Sequence, residues 1–297
     1  LSCKAAFGGV VGGAANGSKF NGLINNGDVV YNGTTQKQNI YMSGVLGKEN
    51  SMSGLKAIAE LSNCTNNGAI YTTASSVCGN SLLLSGITGA IPNSADFVCD
   101  KLINNGAITH NGKSGGLTLS GIVAYNSAAS FTNCSNTAEM KVAAGSNMGS
   151  IVIGGLFAAA LTSNELTNCV NSGALTVEAN STGKGASLAG IVAAQSTVER
   201  ITGCSNTANI TIANKAKVTN AYMAGIASAA TFYVNETMSN CHNSGAISIG
   251  DDITVTGVVA LSGVVNYLSA VTQTPTVTNC TNSGTLTVGK VTNTSGT

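Results

Sequence analysis

An asparagine recurs eight times along this chain at spacings of 32 to 41 residues, and each copy keeps the same company. Aligned on it, Asn25, Asn66, Asn104, Asn136, Asn171, Asn206, Asn243 and Asn282 form an unbroken column. Two residues before it stands Cys64, Cys134, Cys169, Cys204, Cys241 or Cys280, replaced by Leu23 and Leu102 in the other two copies. Exchange of Cys for Leu marks a site that wants an apolar filler. Beyond each Asn comes an apolar residue: Val29, Ile70, Ile108, Met140, Leu175, Ile210, Ile247 or Leu286. A unit of this length cannot bury its apolar face alone, so copies must stack on one another.

A second motif interleaves with the first, in stretches such as "MSGVLGK", "LSGIVAY" and "VTGVVAL". Its glycines are Gly9, Gly44, Gly86, Gly121, Gly155, Gly190, Gly225 and Gly257, each preceded two residues earlier by Phe7, Met42, Leu84, Leu119, Ile153, Leu188, Met223 or Val255. A third apolar column reads Phe20, Leu61, Cys99, Phe131, Leu166, Ile201, Met238 and Val277. Segments such as "LTLSGIV", "ITVTGVV" and "NITI" alternate in twos with many β-branched residues, the signature of strands. The Gly-rich, polar stretches between them leave no room for a helical layer. The expected fold is therefore all-β: one right-handed parallel β-helix spanning 1–297, about eight turns with three strands per turn. The repeats are placed at 7–31, 42–72, 84–110, 119–142, 153–177, 188–212, 223–249 and 255–288. At ~4.8 Å per turn the core would be roughly 38 Å long.

The stretch "SGIVAYNSAASFTNCSNTAEMKV", 120–142, resembles the GLUG-type repeats of bacterial cell-surface and adhesin-like proteins, in which a Gly-Leu-Val-Gly strand precedes an Asn-Cys segment. The chain departs from that pattern where the closing Gly becomes Ala124, Ala158, Ala193, Ser228 or Ala260; Gly12, Gly47 and Gly89 retain it. The resemblance implies a secreted, surface-displayed β-helix on a bacterium, often a module of a larger adhesin, and carries over no catalytic residues.

Charged residues make up only 8% of the chain and the net charge is +1. With Arg200 the sole arginine, there is no electrostatic footprint for nucleic acid. Hydrophobic runs are interrupted well short of the ~20 residues a membrane helix needs, so no transmembrane segment is expected. No signal-peptide start is present, which is read as a removed segment or a fragment; "LSCK" at 1–4 leaves a lipid anchor on Cys3 open.

The Asn column is read as a structural ladder of side-chain amides at one bend of the coil, and the six-membered Cys column as reduced thiols in the core. Cys3 and Cys78 stand outside it, with a bridge between them left open. Zinc is not expected, since neither His110 nor His242 belongs to a compact ligand set, and no cofactor is anticipated. The twelve acids are scattered along the repeats; Asp251–Asp252 reads as a turn and Asp96 and Asp100 flank a loop with Lys101, so no catalytic pair is expected. Sequons at Asn63, Asn133 and Asn279 are attributed to the spelling of the motif.

Two nonenzymatic surfaces stand beside these. A Thr column, Thr109, Thr176, Thr211, Ser248 and Thr287, interrupted by Val30, Tyr71 and Lys141, would suit ice. The aromatics Tyr125, Tyr222, Phe232, Tyr233 and Tyr267 would suit a glycan or host surface. The expected role is an extracellular structural or adhesive rod whose turns stack end to end into a filament or form an adhesin stalk. A polysaccharide-acting enzyme is the remotest alternative.

Overall fold

The computed structural model describes residues 5–14, 17–47, 58, 60–91, 97–127, 129–161, 164–193, 196–228, 230–232, 237–270 and 274–293. They form a parallel β-solenoid with no helix. Five sheets run along the stack and their strand pairs are parallel, each strand bonding to its equivalent one repeat away. The eight Asn positions bound about seven turns.

Three strands per turn proves too few. From Ser135 to Thr167 the coil contains Ser135–Asn136, Met140–Val142, Asn147–Met148, Ile151–Gly154, Phe157–Leu161 and Asn164–Thr167, six segments of two to five residues. Sharp turns too polar to register as apolar periodicity break the coil into these short pieces. One such corner precedes the Cys column. There Asn63, Lys101, Asn133, Asn168, Asn240 and Asn279 adopt φ of 51–55°, and Gly22 and Gly203 occupy the same place. Asn and Gly tolerate this left-handed geometry best because a short amide side chain or a missing Cβ relieves the clash with the carbonyl. The first Asn of the "NC" pair is therefore a turn residue.

The apolar columns fall into register as their spacing implies. Phe20, Leu61, Cys99, Phe131, Leu166, Ile201, Met238 and Val277 pair in sequence. So do Val29 through Leu286. The second motif holds for seven copies and slips in the last: Met223 pairs with Leu261, not Val255, so the eighth copy is "LSGVV" at 261–265 and its glycine is Gly263. Val255 pairs instead with Val218 and Asn293 in a different segment of the coil. "VTG" and "LSG" share the same local pattern, and only the register between coils distinguishes them. The eighth repeat accordingly begins near Leu261 rather than at 255, and its closing small residue is Asn266 rather than Ala260.

Two apolar cores run side by side down the solenoid. One gathers Leu61, Cys64, Ile87, Phe131 and their equivalents; the other gathers Ile70, Leu82, Leu84, Ile108 and theirs. Phe131 and Phe157 meet in the first, their rings tilted at 51° with centroids 4.5 Å apart. Along the chain, Cys64 belongs to the first core and Ile70 to the second, with Asn66 between them. Likewise Met42 lies in the second and Val45 in the first, with Gly44 between. The two crossing points meet: a Cβ built on Gly44 would overlap the Asn66 amide, and the same holds for Gly86 with Asn104, Gly190 with Asn206, Gly225 with Asn243 and Gly263 with Asn282. The cross-section is thus pinched at a waist where glycine backbone touches asparagine side chain.

Gly121→Ala should lower stability by ~2 to 3 kcal/mol, because its Cβ would collide with the Gly155 carbonyl and the Asn136 side chain. Gly185→Ala, at a site with open space around the added carbon, should be nearly neutral. Urea unfolding of the two variants checks this.

Candidate functional site

The Asn column is a continuous hydrogen-bonded ladder. Nδ2 of Asn25 donates to Oδ1 of Asn66, and the pattern repeats through Asn104, Asn136, Asn171, Asn206 and Asn243 to Asn282 at 2.7–2.9 Å. The other Nδ2 proton goes to the carbonyl two residues on in the same coil, at 2.7–3.1 Å. Asn66 through Asn243 are wholly buried. Both donors and one acceptor of each inner amide are used, the condition under which a buried polar group costs little. The chemistry available to such a ladder is cohesive, since each amide is committed to its neighbours.

Beside it, Cys64, Cys134, Cys169, Cys204 and Cys241 are buried free thiols, and Cys280 is partly exposed. Their Sγ atoms donate to carbonyls two residues back, at 3.2 Å from Cys64 to Ser62 and 3.4 Å from Cys241 to Ser239. Burial holds the Cys99 and Cys134 thiols well above their usual range, so they are unreactive as nucleophiles. Cys78 is likewise a buried free thiol, in the second core; Cys3 lies outside the described residues. Among the described residues no three His, Cys, Asp or Glu side chains converge as a metal-ligand group.

His110 is a group whose placement the repeat spacing did not signal. It occupies an inward column whose later members are Val142, Val177, Ile212, Ile249 and Val288. Thr72 donates its hydroxyl proton to the Asn111 carbonyl at 2.7 Å, so His110 Nδ1, 3.0 Å from Thr72 Oγ1, carries the ring proton. Nε2 is buried without a partner. Burial lowers the pKa from 6.5 to about 4.

The surface aromatics divide. Tyr125 packs against the outer cluster of Tyr41, Leu83 and Ala124, so it does not join the others as the aromatic reading expected. Tyr222 and Tyr267 do come together, lining a cavity of about 530 Å³ with Ser187, Ser228, Ala260 and Asn266. Phe232 ends the strand Ala230–Phe232, its side chain outside the described residues, as is Tyr233 altogether. Of the polar members of the cavity, Ser228 is legible in the sequence, standing where other repeats keep a small Gly or Ala, whereas Asn266 joins that column only through the register of the last coil.

The Thr column is in register from Thr176 through Thr211 and Ser248 to Thr287, with Thr211 and Ser248 hydroxyls 3.2 Å apart. Lys141 interrupts it, 3.5 Å from Glu139 and 3.8 Å from Glu178. Asp251 accepts from the Lys290 backbone N–H at 2.9 Å and Asp252 has φ of 57°, so the pair forms a turn. Asp100 lies 3.6 Å from Lys101, and Asp96 is outside the described residues. Among the described residues no helix is long and apolar enough to cross a membrane. Comparison with family models, curated proteins and solved structures finds no match to this chain.

Asn171→Ala should cost ~3 kcal/mol or more, since it strands the Asn136 donor and the Asn206 acceptor in a dry waist. Asn282→Ala, in the exposed last coil, should cost under ~1 kcal/mol by denaturant unfolding. His110 predicts a pH effect. Between pH 6.5 and 4 the unfolded chain binds the proton that the folded imidazole refuses. The His110 contribution is therefore intact above about 6.5, and ~3 kcal/mol is lost as pH falls to 4. His110→Val should flatten that part of the stability profile relative to the unaltered chain.

Proposed function

We propose that the protein is an extracellular structural rod whose coils continue end to end from one copy to the next. The observation that carries this reading is the exposure of core columns in the outermost coils. Phe7, Leu286 and Val288 are 45%, 44% and 54% exposed, whereas their equivalents Met42, Leu84, Ile247 and Ile249 are nearly or wholly buried. A second copy in register, or further coils of the same kind in a longer chain, would cover these side chains and pair the edge strands.

The polarity of the ladder supports the same arrangement. Its bonds run in one sense, so the Asn25 end offers an acceptor oxygen and the Asn282 end a donor N–H. With 8% charged residues there is little electrostatic repulsion between stacked faces. Assignment of the repeats to the GLUG type, and a bacterial surface as the setting, belong to this proposal and rest on the motifs themselves.

Negative-stain microscopy of the purified chain across a concentration series should reveal unbranched filaments. Leu286→Lys combined with Val288→Lys should shorten them while the circular dichroism spectrum stays unchanged. Discrete monomers at every concentration would overturn the proposal.

A further inference from the structure

A strict repeat makes every coil chemically equivalent, so a local lapse identifies where one stretch of surface differs from the rest. The outward row across the longest sheet runs Ala6, Tyr41, Leu83, Thr118, Val152, Ser187, Tyr222 and Ala260 in register. In the early coils this face is filled: Tyr41 and Leu83 are buried, packed in one cluster with Ala124. Toward the last coils it opens into the cavity between Tyr222 and Tyr267.

The neighbouring small-residue column changes over the same stretch, from Gly47, Gly89, Ala124, Ala158 and Ala193 to Ser228 and Asn266. The Ser187 and Ser228 hydroxyls lie 2.6 Å apart and both bond to the Ala193 carbonyl, forming a fixed polar floor. Asn266 commits its amide protons to the Met223 and Ala260 carbonyls at 2.8 and 3.1 Å. Its Oδ1 has no partner among the described residues and is held as an acceptor.

We propose that this cavity binds a neutral hexopyranose unit of a glycan. Among the described residues no Asp, Glu, Lys, Arg or His lines it, so they offer no counter-charge for a phosphate, a carboxylate or a cation. The two phenol rings and the Ala260 methyl group suit the C–H face of a sugar ring. Asn266 Oδ1, the Ser187 hydroxyl oxygen and the phenol hydroxyls suit its hydroxyl groups. A volume of about 530 Å³ accommodates one or two such rings. The proposal stands independently of end-to-end stacking.

Isothermal titration with neutral hexaoses of glucose, mannose and galactose tests it, with a sulfated oligosaccharide for comparison. At least one neutral hexaose should bind, and Tyr222→Ala or Tyr267→Ala should weaken it tenfold or more. Tyr267 is 57% exposed, so its loss should leave the fold intact. Tyr125→Ala, away from the cavity, should leave the affinity unchanged. Absence of binding to any neutral hexaose, binding to the sulfated compound alone, or binding indifferent to both cavity variants would overturn the proposal.

Discussion

The waist of the solenoid, where a glycine backbone presses on a buried asparagine amide, is the contact on which the rest of the structure depends. Amides placed between two apolar cores would be costly if any of their protons lacked a partner. The coil geometry removes that cost by repetition. Each Asn sits one strand spacing from the next, within reach of a 2.7–2.9 Å bond, and its second proton closes a local turn in its own coil. Register is thereby enforced. Sliding one coil by a residue would remove an amide from the chain of bonds and bring an apolar side chain to the waist.

This arrangement also explains the division of labour within "NCTNNGAI", 63–70. Asn63 takes the left-handed corner, Cys64 fills one core, Asn66 joins the ladder and Ile70 enters the other core. Gly68 is required for closeness, since a Cβ there would strike the Gly27 carbonyl of the preceding coil. The two glycines Gly44 and Gly68 therefore serve contacts between coils as well as turns. Cys and Leu interchange at the filler position because the thiol is used as a small apolar volume with a weak donor.

Much of the fold was legible because solenoid contacts repeat at a fixed sequence separation. The apolar columns led by Phe20 and Val29 recur once per repeat and fall into register. The eighth glycine could not: "VTG" at 255–257 and "LSG" at 261–263 are equivalent locally, and only pairing of Leu261 with Met223 decides between them. The number of strands was illegible for a related reason. Segments of two residues, such as Ser135–Asn136, have no periodicity of their own and exist as strands only because a neighbouring coil supplies their hydrogen bonds.

By itself the sequence determined that the chain coils, that its Asn and apolar columns stack, and that its surface lacks charge, because each of these is written once per repeat. Tertiary structure alone decided that the Asn ladder lies in a waist between two cores, that His110 is buried with a bare nitrogen, and that Tyr222 and Tyr267 face one cavity while Tyr125 packs elsewhere. The physical reason is that columns follow from spacing along the chain. Which columns meet across the coil depends on the turns, whose angles are set by single left-handed residues and by close backbone contacts.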